Sequence, residues 1–406
     1  MIKLDSKTNL SLLEEYYLKI QKKSPTDIQI SKFSTGIGFG LVPAMIQFIS
    51  TWHNVMSEGK IVLNVNLESY DLNDAQKIQE LGDKYLSQFY KLDFFFTIVT
   101  YCWSRQIVDK KGLDLKPLLK IQNISTHERM QKQIGGGGNK YILSCFDHLS
   151  SKKGLLKAFY ISDDFINNEL TFDYAIDSSL KQVLSLNHNL RKFNYSPVHQ
   201  DIVSIIYELM KNTHDWARTD IHNKPFKVNS RGLFMKLHRQ KRDVYEREFE
   251  DHAGLKDYFS EKNFTSTNSD ELYFLELSVF DTGIGYVHRY SGIPANNFNP
   301  IQQVEIIKQC LIVNNTSSTG LEKNSKGKGL DRIMNILNKK GLFWIRTGNV
   351  SVFRNLVIRH YLEKTDIEKI ELFDWFSNST TNISNLSEVR GSVFTLVYPI
   401  TNLSNA

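Results

Sequence analysis

Residues 196–217 read SPVHQDIVSIIYELMKNTHDWA, and the fold of the chain's second half is decided by how this stretch is read. Ser196 suits a helix N-cap, and Pro197 suits the first turn, where a missing N–H costs nothing. Ile202, Ile205, Ile206, Leu209 and Met210 recur at helical spacing and form one broad apolar arc. Glu208, Asn212 and Asp215 stand at i, i+4 and i+7. At ~100° per residue they fall within about 60° of one another, on the rim of the apolar arc. Two carboxylates and a carboxamide beside a buried face make a place for a metal and a water, and an expensive place for idle charge. Taken alone, the pattern fits a surface helix with a polar stripe equally well.

Three further motifs follow in order. Asp281-Thr282-Gly283-Ile284-Gly285 ends an apolar strand over 272–280. Lys326-Gly327-Lys328-Gly329-Leu330 opens a predicted helix over 330–338, and Gly391-Ser392-Val393-Phe394 opens the last strand, 391–400. The ordered set of four covers about half the chain and resembles the GHKL superfamily (gyrase, heat-shock chaperone ATPases, histidine kinases, MutL), whose nucleotide site is the Bergerat fold.

The resemblance implies a role for each residue. Asp281 would accept the exocyclic amine of adenine and refuse guanine, which carries a carbonyl there. Gly283 and Gly285 would let the backbone turn and approach the base. Ser392 stands where many relatives carry a threonine and would share a water with Asp281. Asn212 would hold Mg²⁺ through its carboxamide oxygen, and Glu208, the catalytic residue, would orient the attacking water. Asp215 would tether the helix, or contact adenine-bound water or the lid. Lys326, Gly327, Lys328, Gly329 and Leu330 would take the phosphates at a helix N-terminus, although the family's fuller glycine pattern is thinned here. Residues 286–326 would form the lid.

The activity so implied is Mg²⁺-dependent ATP hydrolysis driving a conformational or dimerisation switch, with a protein partner or a second copy. Two alternatives stay open: a protein kinase of the histidine-kinase or anti-sigma-factor type, and a nucleotide-gated interaction protein without catalysis. Glu208 favours hydrolysis over a sensor kinase, whose counterpart position generally lacks a carboxylate. Only TNLSNA follows Ile400, so no downstream lysine is expected to complete the site, and a partner or the first domain would do so.

The fold class expected is α+β: a Bergerat-type α/β sandwich with a mixed sheet over 191–406, preceded by a separate mixed α/β domain over 1–190. In the front half, a strand over 28–33, a helix over 41–56 and a strand over 61–67 suggest a β-α-β unit. A helix over 74–92, a strand over 94–101 and a helix over 177–190 follow. Gly36-x-Gly38-x-Gly40 fits neither the dinucleotide nor the P-loop spacing and reads as a β-to-α turn or a ligand loop. The glycine run 135–138 reads as a flexible loop or hinge. Further on, 226–239 reads as a hairpin with Arg231-Gly232 near its turn, and 241–270 as a charged insertion poor in aliphatic residues. A hairpin over 342–353 turns at Gly348.

A formal charge of +6, from 50 basic and 44 acidic residues, permits contact with nucleic acid without arguing for it. Cys102, Cys145 and Cys310 are scattered with no C-x-x-C pair, against a zinc site or a disulfide framework. The N-terminus lacks the apolar core of a signal peptide, and the most apolar run, 92–103, is too short to span a bilayer. The expectation is a cytoplasmic protein with no membrane partner. His53 sits among apolar neighbours with no phosphoacceptor-like box around it, so a place in the core is as good a reading as a chemical one.

Overall fold

The structure, a computed structural model, describes every residue except 23–25, 34–37, 69–72, 135–137, 186–195, 265–269, 313–328, 363–366 and 401–406. The chain is α+β and divides into two units, Met1–Gly136 and Gly137–Ala406. Among the described residues no helix is long and apolar enough to cross a membrane.

The first unit carries four parallel strands in the order of the chain: β1 (Ile2–Leu4), β2 (Ile28–Ile30), β3 (Lys60–Leu63) and β4 (Gln106–Val108). Helices α1 (Leu10–Gln21) and α2 (Leu41–Val55) make the first two crossovers, so the expected β-α-β unit is present. Gly40, at φ 75°, turns the chain into α2, while Gly36 lies outside the described residues. Helix α3 (Ala75–Leu81) continues into a wider π turn over Gly82–Leu86. The expected strand over 94–101 is instead helix α4 (Phe95–Tyr101), of which Phe95, Phe96, Ile98, Val99 and Tyr101 are all buried. A helix buried all round shows no polar face, so its sequence carries no period to distinguish it from a strand. His53 is half-buried against Tyr101, and burial together with Arg105 lowers its pKa to about 4, which is the core reading. Helix α5 (Lys116–Gln131) closes the unit.

The second unit begins well before residue 190, because strand β5 (Lys140–Cys145) pairs along its whole length with β6 (Arg231–Lys241). Helix α6 (Glu169–Ser185) belongs to the same unit and packs on α7 (Ser196–Trp216). After β6 come α8 (Arg242–Glu248), α9 (Ala253–Phe259) and β7 (Glu271–Asp281), then α10 (Gly285–Ser291), α11 (Pro300–Cys310) and α12 (Gly329–Leu337). Strands β8 (Leu342–Gly348), β9 (Val350–Asn355), β10 (Phe373–Asp374) and β11 (Val389–Pro399) finish the fold. The seven strands lie in the order β10-β9-β8-β11-β7-β6-β5. Every pair is antiparallel, so this sheet is not mixed; among the described residues the parallel pairs lie in the first unit.

The apolar arc of α7 covers one face of the sheet. Ile202, Ile205, Ile206, Leu209 and Met210 are buried, as are Leu233, Met235, Leu275, Leu277 and Val279 at alternate positions of β6 and β7. Each such side chain contributes about 1.5–3 kcal/mol on leaving water. Leu330, Ile333, Met334 and Leu337 give α12 the same kind of stripe, and it packs beside α7. The other face of the sheet takes α8 and α9: Tyr245 and Phe259 meet Phe274 of β7 edge-on, and Tyr258 packs on it at a tilt. The stretch read as a charged insertion is therefore a packed layer whose apolar content is aromatic rather than aliphatic.

Arg231 and Gly232 are not at a turn. They open β6, opposite Asp281 and Phe280 of β7, with Gly232 also paired to Ser144 of β5. A Cβ on Gly232 would stand 2.7 Å from the Phe280 ring and closer still to the Leu143 carbonyl oxygen, so only glycine fits between the two neighbours. Gly232→Ala is expected to lower the unfolding free energy by about 1–3 kcal/mol through overpacking. Denaturant melts of the two proteins check this, and an unchanged midpoint would contradict the strand register.

Candidate functional site

Asp281 is the last residue of β7 and lies in register with Arg231 on one side and Ser392 on the other. Its Oδ1 accepts the Gly283 N–H at 2.8 Å. Burial pushes the carboxyl pKa up to about 6, against the pull of the Gly283 N–H, Arg390, the Ser392 N–H and Arg231. The turn after it is pinned at Thr282, whose hydroxyl donates to Asn229 Oδ1 at 2.7 Å and accepts the Ser230 N–H at 2.9 Å. Arg390 donates to the Thr282 carbonyl at 2.8 Å. Gly283 passes so close to α7 that a Cβ would stand 2.9 Å from Ala217 Cα, and Gly285 opens α10 at φ 80°.

A cavity of about 120 Å³ lies between the end of β7, the last two turns of α7, α10 and the start of α12. Asn212, Asp281, Gly285, Gly329, Leu330 and Ser392 all line it. These six come from four of the sequence motifs, separated by up to 180 residues, and the fold brings them to one opening. Trp216, Tyr286, Tyr290 and Arg289 add an aromatic and cationic wall that the sequence reading did not single out. Their signal was available: Tyr286, Arg289 and Tyr290 follow the Asp281 motif at helical spacing on α10. The hydroxyl of Ser392, which lines the cavity, is 3.1 Å from that of the buried Thr347.

Comparison with protein-family models, curated proteins and solved structures finds no match.

The remaining expected residues divide three ways. Asp215 and Gly283 stand beside the cavity without lining it. Lys326, Gly327 and Lys328 lie outside the described residues. Glu208 sits at the lip: a Cβ on Gly329 would be 2.6 Å from Glu208 Oε2, so the carboxylate lies against the first residue of α12. Its Oε1 accepts from Arg332 Nη1 at 3.3 Å. Arg332 also donates to Glu169 on α6, at 2.7 Å and 3.1 Å, and to Ser204 Oγ at 2.8 Å. Burial works against the charge of Glu169, but hydrogen bonds from Arg332 and Ser204 outweigh it and hold the carboxyl below the usual range. No local pattern marks the pairing of Glu169 with Arg332, which spans 163 positions.

Among the described residues no group of three or more His, Cys, Asp or Glu is spaced to hold a metal. Asn212 lines the cavity, and its side chain forms no hydrogen bond with another described residue. One amide ligand suits Mg²⁺, which keeps most of its shell as water and substrate phosphate.

An ionised carboxylate with a raised pKa destabilises the fold, and the sign is fixed. The Asp281 pKa is about 6 folded, and an unfolded aspartate titrates near 3.9. Its contribution to stability is complete below the unfolded value and is lost as pH rises through about 6. Asp281→Asn is therefore expected to raise the melting temperature at about pH 7.5, with the gap to the wild type closing toward about pH 4. Calorimetry at the two pH values checks it; a variant that melts lower at neutral pH would show that the charge is compensated in the fold.

Proposed function

We propose that the second unit binds Mg²⁺-ATP and hydrolyses it, as a nucleotide-driven switch of the GHKL type. The observation that carries the reading is the meeting of a half-buried carboxylate, Asp281, with Asn212 and the start of α12 on one cavity. A carboxylate whose pKa is raised by desolvation in a cleft is the kind of group that binding sites hold. Four motifs in family order support the same reading.

In this reading Asp281 accepts the adenine amine, and Ser392 and Thr347 complete the polar floor under the base. Trp216, Tyr286 and Tyr290 offer apolar and aromatic surface to the ring. The N-terminus of α12, at Gly329, would take the phosphates, whose negative charge a helix N-terminus and its dipole favour. Asn212 would hold the metal; the chemistry that Mg²⁺ would supply when bound is withdrawal of charge from the phosphates. Glu208 accepts a proton from the attacking water. The new P–O bond forms to that water oxygen as the bond to the bridging oxygen breaks, and ADP leaves with the electron pair. Helices α10 and α11 make up the described part of the lid, and its closing over bound nucleotide would be the switch that a protein partner or second copy reads.

Titration calorimetry with Mg²⁺-ATP should give saturable binding that Asp281→Asn abolishes and that GTP fails to reproduce by at least about 100-fold. Glu208→Ala should bind ATP within about threefold of the wild type and lose phosphate release by roughly 100-fold or more. Equal affinity of wild type and Asp281→Asn would remove the adenine assignment. Transfer of labelled γ-phosphate to a protein, in place of free phosphate, would favour the kinase reading.

A further inference from the structure

Arg332 lies one turn into α12, and its donors are divided in a specific way. Nη1 gives one N–H to Glu169 Oε2 at 2.7 Å and reaches Glu208 Oε1 at 3.3 Å. Nη2 gives one to Glu169 Oε1 at 3.1 Å and one to Ser204 Oγ at 2.8 Å. The four terminal N–H groups are thus all directed, two of them as a bidentate clamp on Glu169. Glu169 is held in turn by Gln200 at 2.9 Å and by the Ser204 hydroxyl. The guanidinium therefore has a fixed seat on α6 and α7, with one N–H left for Glu208.

We propose that Arg332 is a positioning residue for Glu208, anchored by Glu169 and Ser204; this rests on the reading of Glu208 as the group that activates water. Glutamate is long and has three rotatable bonds, so an unsupported carboxylate at the lip of a cavity samples many positions. Here one oxygen is fixed by Arg332. The other, Oε2, accepts no hydrogen bond from another described residue and lies beside Gly329, where the terminal phosphate is expected. A carboxylate tethered through one oxygen with the second facing the reacting end is the geometry a water-orienting base requires.

The charges around Glu208 bear this out. From α12 it meets Arg332, while Asp331 is turned to Tyr361 and Asn335. From α6, Glu169 takes the shorter ion pair with the same Arg332, at 2.7 Å against 3.3 Å to Glu208. On α7 itself, Lys211 lies over the Tyr207 ring and Asp215 is two turns away. Shared between the two carboxylates, the guanidinium holds one oxygen of Glu208 while its main hold is on Glu169. Lysine cannot fill this role, because a single ammonium cannot clamp one carboxylate in the plane of its fork and reach a second.

The test is steady-state phosphate release by the full chain. Arg332→Gln is expected to lower kcat roughly 10- to 100-fold with KM for ATP within about threefold. Glu169→Gln, which removes the anchor, should show the same split with a smaller loss. The double variant Arg332→Gln/Glu208→Gln should be no slower than Glu208→Gln alone, since the arginine acts only through that carboxylate. Thermal melts accompany each variant, and Arg332→Lys carries the test if Arg332→Gln does not fold. Unchanged kcat, a change confined to KM, or losses that multiply in the double variant would each overturn the positioning role while leaving the hydrolase reading standing. A wild type that binds ATP and releases no phosphate would overturn the role of Glu208, and this proposal with it.

Discussion

A carboxylate at the end of a strand, half-drawn out of water, is costly to keep charged, and the second unit holds Asp281 in this way. Neighbouring strands fix it from both sides: β6 sets Arg231 opposite and β11 sets Ser392 opposite. Behind it runs a buried polar chain. Thr282 bonds Asn229, Asn229 donates to Asp147 at 2.9 Å, and Asp147 takes a bidentate pair of bonds from the fully buried Arg231 at 2.9 and 2.7 Å. Burial opposes the Asp147 charge, but Arg231 outweighs it and keeps the carboxyl low. Breaking such a pair from one side strands a buried charge at about 3–5 kcal/mol. The turn that carries Asp281 is thus tied through Thr282 to a buried ion pair.

Helix α7 links this strand end to the other half of the site. Its apolar arc is the core of the unit, and the residues on the rim of that arc, Glu208 and Asn212, reach the cavity and its lip without any loop between them and the packed face. Position is therefore inherited from packing. The same holds for α12, whose buried stripe seats Gly329 against Glu208 and points Arg332 at Glu169. Three helices and one strand end meet at the opening, so side chains far apart in the chain are set to within hydrogen-bond distance.

Much of this was legible in the sequence where the signal is local. The period of the 196–217 stretch, the apolar run ending in Asp281, the hairpin at Gly348 and the amphipathic turn after Gly329 each produce an element where expected. What could not be read is what depends on partners distant in the chain. Arg231-Gly232 looks like a turn until β5 and β7 are set on either side of it. Helix α4 has no polar face to betray its period. The edge strand β5 lies 91 positions before β6 (Lys140 against Arg231), so nothing near it assigns it to the later unit. The aromatic layer of α8 and α9 was hidden by counting aliphatic residues alone.

The central claim is that Asp281 exists to grip an adenine. A structure of the full chain with Mg²⁺ and a non-hydrolysable ATP analogue tests it most directly. The account predicts the base in the cavity with its exocyclic amine about 2.7–3.2 Å from an Asp281 oxygen and the phosphates toward Gly329. An analogue bound elsewhere, or a base in that cavity turned away from Asp281, would contradict it.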